Sequence, residues 1–214
     1  HLWLVFVTLN YLAETGDDKA LREKAPYLDG AAGTLFDHCT RSMKLTLSRL
    51  SKRGLPLIGH GDWNDGLSAV GLRWKGESLW LGHFLYGILE RWADVCDRLR
   101  ERGAVKIPGV TSAKLAAMAR EYRRRAAALK KAINRYGWDG QWYWAATRDD
   151  GQLLGSKKNT EGRIFLNCQT WAVIHGTAPP DRARRAMASM EKYLNCEYGP
   201  LLLTPSYTKP DSGI

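Results

Sequence analysis

At 214 residues, 44% hydrophobic and 25% charged, the chain has the composition of a globular protein and the length to bury a sizeable core. No apolar run approaches the roughly 20 residues that cross a bilayer, and no basic leader precedes "LWLVFVTLNYL", so no membrane contact is expected and the predicted setting is cytoplasmic. The net charge of +10 raises the question of nucleic acid; its main sources, "REYRRRAAALKKAINR" (120–135) and "DRARRAM" (181–187), carry apolar residues at helical spacing. They are expected to be solvated helix faces, with no nucleic-acid partner.

Cys39, Cys96, Cys168 and Cys196 are far apart and form no C-x-x-C pair. Zinc spacing is absent, no metal is expected, and buried reduced thiols are predicted. The sequence does not open on methionine, which points to a fragment.

In chain order, Leu2, Val5, Phe6, Leu9, Leu12 and Ala13 repeat at the helical period and Gly16 stops the run. A short helix is expected from Asp18 to about Lys24. The next has Thr34 as N-cap with Asp37 three residues on, an inner stripe of Phe36, Cys39, Met43, Leu47 and Leu50, and an expected end at Gly54. A long amphipathic helix follows Glu77, whose carboxylate is expected to favour the helix start. Ser112 is the expected cap of a further helix, which Gly137 closes. "GQWYWAATRDDGQLLGS" changes period: Trp142 and Trp144 alternate and Asp150-Gly151 is a turn signal, so a β-hairpin is expected. A short helix over about Gln169 to Ile174 and a last one after Pro179-Pro180 complete an all-α expectation, one domain over 1–214.

The stretch "GHGDWNDGLSAVG" (59–71) sits between helices and mixes acids, an aromatic and glycines. A calcium loop fails: counting from Asp62, glycine falls at position five and position twelve is Arg73. Two readings stay open on pattern alone. In one, Asp and Asn make turns, Gly supplies positive φ and Trp63 is core. In the other, a carboxylic acid beside an indole keeps a proton for a departing glycosidic oxygen, and a flat aromatic face stacks on a sugar.

Resemblance separates them. "LPLIGHGDWNDGLSAVG" with "KGESLWLGHFLYGIL" resembles the acid region of glycoside hydrolase family 94, the inverting disaccharide and oligosaccharide phosphorylases; "HLWLVFVTLNYLAETGD", "TLFDHCTRSM", "GRIFLNCQTWAVIHG" and "LLLTPSYTKPDSGI" resemble further family segments in order. The resemblance implies an (α/α)6 barrel, here incomplete with a short β-hairpin, and so with apolar helix faces exposed. It implies phosphorolysis of β-linked gluco-oligosaccharides or disaccharides to α-glucose 1-phosphate, with inversion, no cofactor, and phosphate as co-substrate. Asp65 falls on the general acid and Trp63 on the donor-sugar aromatic; Asp62, Asn64, His60 and Gln169 are weaker sugar-binding candidates, each with a loop-bracing alternative, as has Tyr207. The family's phosphate-binding residues fall outside this chain, and Arg163 and His175 are expected at a surface or helix end rather than in their place. A homodimer is implied for the full-length protein. Two alternatives remain: the phosphorylase-like domain of a cyclic β-1,2-glucan synthase, and a non-catalytic sugar-binding helical toroid.

Overall fold

The computed structural model describes residues 1–103, 106–211 and 213–214, with the side chain of Asp65 outside the described set. By its internal contacts the chain divides into two compact units, His1–Ser48 with Gly87–Ala127, and Arg49–Tyr86 with Ala128–Ile214.

In the first unit, α1 (Leu2–Thr15) ends where Gly16 takes the left-handed conformation and its N–H returns to the Leu12 carbonyl. The segment expected to be a short helix is a 3-10 turn, Asp18–Arg22. Asp18 is buried there and receives Arg98 at 2.6 Å. A short antiparallel pair, β1 (Lys24–Pro26) and β2 (Ala32–Thr34), leads into α2 (Leu35–Leu47). The Thr34 hydroxyl accepts the Asp37 N–H while the Asp37 carboxylate accepts the Thr34 N–H, the reciprocal box read from the sequence.

α2 stops earlier than Gly54. The Ser48 hydroxyl bonds back to the Leu45 carbonyl, the kind of local competition that weakens a helix end. Thr46, not Leu47, completes the buried stripe of Phe36, Cys39 and Met43. Phe36 packs on Trp92 with ring centroids 5.5 Å apart, and burying each such ring is worth about 1.5–3 kcal/mol. On α1, Trp3, Leu4, Val7 and Tyr11 are exposed.

The second unit holds the N-terminal part of α3 (Leu79–Arg102) and the C-terminal part of α4 (Ser112–Tyr136). Thr111, not Ser112, caps α4: its hydroxyl accepts the Lys114 N–H. Gly137 closes the helix on the Ile133 carbonyl. The expected hairpin forms as β3 (Ala146–Thr147) and β4 (Leu153–Leu154), turning at Asp150-Gly151. Trp142 and Trp144 precede the strands and do not alternate; Trp142, Tyr143 and Trp144 are all buried. Next come β5 (Ile164–Phe165), α5 (Leu166–Ile174) and α6 (Pro180–Leu194), then β6 (Asn195–Cys196), β7 (Gly199–Pro200) and β8 (Leu203–Thr204). β6 pairs with β7, and β5 pairs antiparallel with β8, Phe165 opposite Leu203. Cys39, Cys96 and Cys168 are buried as expected, but Cys196 is exposed.

Candidate active site

The 59–71 loop starts from a constrained point. Gly59 has φ +60°, and a Cβ there would lie 2.7 Å from the Trp74 ring, so both backbone and space require glycine. His60, the next residue, is exposed and meets Trp74 edge-on at 5.8 Å. That contact is the packing alternative for His60.

Further along, consecutive loop residues are each fastened to the start of a helix. The Asp62 carboxylate accepts the hydroxyl of Ser78, whose same oxygen accepts the Leu81 N–H at 3.0 Å and so caps α3. Its other oxygen accepts the Asn64 N–H at 2.7 Å. Trp63 lies over Trp80, in the first turn of α3, with ring centroids 6.1 Å apart and planes 25° apart. Trp80 continues the stack onto Phe84 at 5.0 Å, and Trp171 closes on it edge-on at 6.1 Å. Asn64 is buried, and its Oδ1 accepts the Asn167 amide at 2.8 Å from the first turn of α5.

Asn64 is also the N-cap of a single 3-10 turn, Asp65–Leu67, closed by the Leu67 N–H on the Asn64 carbonyl. Asp65 is therefore the first residue of a turn whose three predecessors are anchored; its carboxyl lies outside the described side chains.

Beside this turn is a cavity of about 390 Å³, lined by Trp63, Asn64, Gly66 and Leu67 on one side. Phe165, Leu202, Leu203, Tyr207 and Ile214 line it on the other, brought there by the β5–β8 pairing. The volume is in the range of small-molecule sites. Trp63 is 50% exposed, so its ring is supported from one side and still offers surface to a ligand. A second cavity, about 510 Å³, runs along α2 and α4 past Thr40, Met118 and Tyr122.

The sequence of this chain matches the family described as "Glycosyl hydrolase 94 superfamily, catalytic domain" over residues 1–214. The chain belongs to this family. It is 38% identical to solabiose phosphorylase of Paenibacillus borealis over 214 residues, all of this chain and 26% of the relative. With cellobionic acid phosphorylase of Neurospora crassa it shares 35% identity, over 97% of this chain and 24% of the relative. The cyclic beta-(1,2)-glucan synthase NdvB of Rhizobium meliloti is 33% identical over 204 residues, 87% of this chain and 7% of the synthase. The chain thus spans about a quarter of the length of the phosphorylases it matches. A rhamnosidase from Klebsiella oxytoca with rhamnose bound shares the fold, with TM-score 0.57 and 21% identity over 89% of this chain and 29% of that one. Mostly helical with a few short strands, this glycosyl hydrolase 94 chain fits a piece of an (α/α) barrel.

Within this glycosyl hydrolase 94 chain the remaining candidates fall into place by their contacts. Gln169 is fully buried: its Oε1 accepts the Tyr143 N–H, and its Nε2 donates to the Tyr143 and Phe165 carbonyls. These bonds are the loop-bracing alternative for Gln169. Tyr207, by contrast, does line the cavity. Glu77 is not a helix-end charge, because α3 begins at Leu79 and the Glu77 carboxylate is held by Arg53 through two bonds. Arg163 is exposed, and His175 closes α5, its Nδ1 2.9 Å from the His83 carbonyl. His83 itself is a core histidine, lowered to about 3 by burial and by the charge of His175.

Ser78, Trp80 and Asn167 are the partners that sequence reasoning missed. For Ser78 a signal existed, since a serine one residue ahead of an amphipathic helix is a cap signature. Asn167 had none; its partner is 103 residues away.

Proposed function

We propose that this chain carries the general acid of an inverting phosphorylase acting on β-linked gluco-oligosaccharides or disaccharides. Asp65 gives its proton to the glycosidic oxygen as the C1–O bond breaks. An oxygen of inorganic phosphate attacks C1 from the opposite face, so the products are α-glucose 1-phosphate and the shortened sugar. Phosphate is already anionic, so no second carboxylate is needed to activate the nucleophile. The groups that hold it are expected outside these residues.

One observation carries the reading. The residues just before Asp65 are anchored to two helix starts, and the half-exposed Trp63 stands beside a cavity that the same loop lines. A turn needed only for connection does not require an indole carried on an aromatic stack. Family membership supplies the reaction class, and relatives named as phosphorylases are similar over the whole of this chain or nearly so.

The test is to incubate the full-length protein with inorganic phosphate and a panel of β-glucosyl disaccharides, and to assay glucose 1-phosphate. Phosphate-dependent release with an α-configured product supports the reading. Sugar binding without turnover on any member would replace it with the non-catalytic toroid. The 33% identity with a cyclic glucan synthase favours one second reading, in which the same chemistry is applied to β-1,2-glucan; phosphorolysis restricted to β-1,2-linked oligomers would select it.

A further inference from the structure

The buried amide of Asn167 calls for an explanation that packing does not supply. Asn167 is 5% exposed, in the first turn of α5. Its Nδ2 donates to Asn64 Oδ1 at 2.8 Å, while its own Oδ1 is buried without a hydrogen-bond partner among the described residues. A buried carbonyl oxygen left unpaired is unfavourable. A leucine would fill similar space without that penalty, so if packing were the whole role, an amide would be a poor choice. What the amide does provide, among the described residues, is a directed bond to the residue immediately before Asp65.

We propose that Asn167 is a positioning residue for the catalytic acid, acting through Asn64; the proposal rests on the reading of Asp65 as that acid. The geometry gives the route. Asn64 is gripped from both sides: Asp62 Oδ1 accepts its backbone N–H at 2.7 Å and its amide at 3.3 Å, and Asn167 donates to its Oδ1. Its carbonyl in turn accepts the Leu67 N–H that closes the Asp65–Leu67 turn. With Asp62 tied to the cap of α3 through Ser78, the Asn167 bond adds a further hydrogen-bonded tether. It locks the N-cap of the acid's own turn to α5, a different helix from the one that holds Asp62. Proton donation needs the acid within hydrogen-bond reach of the leaving oxygen, and a misplacement of about 1 Å can cost on the order of 10²-fold.

The experiment compares two substrates in the full-length protein: a disaccharide, whose sugar leaving group needs the proton, and an aryl β-glucoside with an acidic phenol, which departs without it. Asn167→Leu and the smaller Asn167→Ser are measured beside Asp65→Asn, with kcat and KM for both substrates; the serine variant serves if leucine does not fold. The expected result is a fall in disaccharide kcat of about 10- to 100-fold, with KM little changed and aryl glucoside turnover nearly intact. An equal loss on both substrates would mark Asn167 as merely structural, and no loss would remove it from the mechanism; either overturns the proposal. If Asp65→Asn is itself unselective, the acid assignment fails. If Asp65→Asn is selective and the Asn167 variants are not, only the positioning role fails.

Discussion

Trp63 rests on Trp80, with ring planes 25° apart and centroids separated by 6.1 Å, so the aromatic of the 59–71 loop is carried by the first turn of α3. An indole supported in this way and half exposed gives a ligand a rigid apolar face at little ordering cost.

Trp63→Ala in the full-length protein is therefore expected to raise KM for the disaccharide by roughly 2- to 12-fold, the equivalent of an aromatic contact worth about 0.5–1.5 kcal/mol. Thermal melting should shift by only a few degrees, because half of the side chain is already in water. A large fall in melting temperature with unchanged kinetics of the folded enzyme would instead assign Trp63 to the core.

Gly59→Ala tests the entry to the loop. At φ +60°, with a Cβ 2.7 Å from the Trp74 ring, alanine incurs backbone strain and a collision at once. The expected loss is about 1–3 kcal/mol of stability, read by denaturant unfolding, together with lower disaccharide turnover. Wild-type stability in this variant would mean that the loop and Trp74 do not meet as described.

Much of this architecture is local, and that part was legible in the sequence. Thr34 with Asp37, Gly16 after α1, Pro180 opening α6 and Asp150-Gly151 between β3 and β4 are short-range signals whose partners lie within a few residues. The D-W-N-D loop was legible as a candidate site through its motif. What holds the loop was not. Asp62 reaches Ser78 and Asn64 reaches Asn167 across spans with no periodic signature. The wall opposite Trp63 depends on pairing β5 with β8, which are too short for alternation to show. The sequence leaves Gln169 with two readings for a related reason: an amide in a family-like segment looks the same whether it faces a ligand or the Tyr143 backbone.

Asp149 makes a pH-dependent contribution to the next stretch of chain. Its carboxylate, 10% exposed, accepts the backbone N–H groups of Arg73, Lys75 and Gly76. Burial acts to raise its pKa, but these bonds and the Arg73 charge outweigh it and hold the group below the usual carboxylate value. A folded-state pKa lowered in this way stabilises the protein above the unfolded value of about 3.9, and that stabilisation is lost as pH falls through the lower folded value. Asp149→Asn should therefore be less stable than wild type at pH 7, and the gap should narrow as the pH falls below about 4. A gap that stays constant down to pH 2.5 would contradict the assignment.

The Arg53–Glu77 pair is asymmetric: Glu77 is buried and Arg53 is partly exposed. Removing the cation leaves a buried carboxylate without its two bonds, whereas Glu77→Gln leaves a neutral amide. Arg53→Met is expected to lower the melting temperature more than Glu77→Gln does. Its cost should be up to about 3 kcal/mol, below the usual range for a fully buried pair because Arg53 reaches solvent. The reverse order would mean that the Glu77 carboxylate is stabilised by something other than Arg53.

The central claim is that Asp65 supplies the proton, and the most direct measurement is the leaving-group dependence of Asp65→Asn in the full-length protein. General acid catalysis of this step is worth roughly 10²–10⁴-fold, and the amide has no such proton to give. Disaccharide phosphorolysis is predicted to fall by that factor, and synthesis from α-glucosyl fluoride with it, because there the same carboxylate must take the proton of the acceptor hydroxyl. Phosphorolysis of an aryl glucoside with an acidic phenol is predicted to stay close to wild type. Near-normal disaccharide turnover, or an equal loss on both glucosides, would contradict the assignment of Asp65 as the acid.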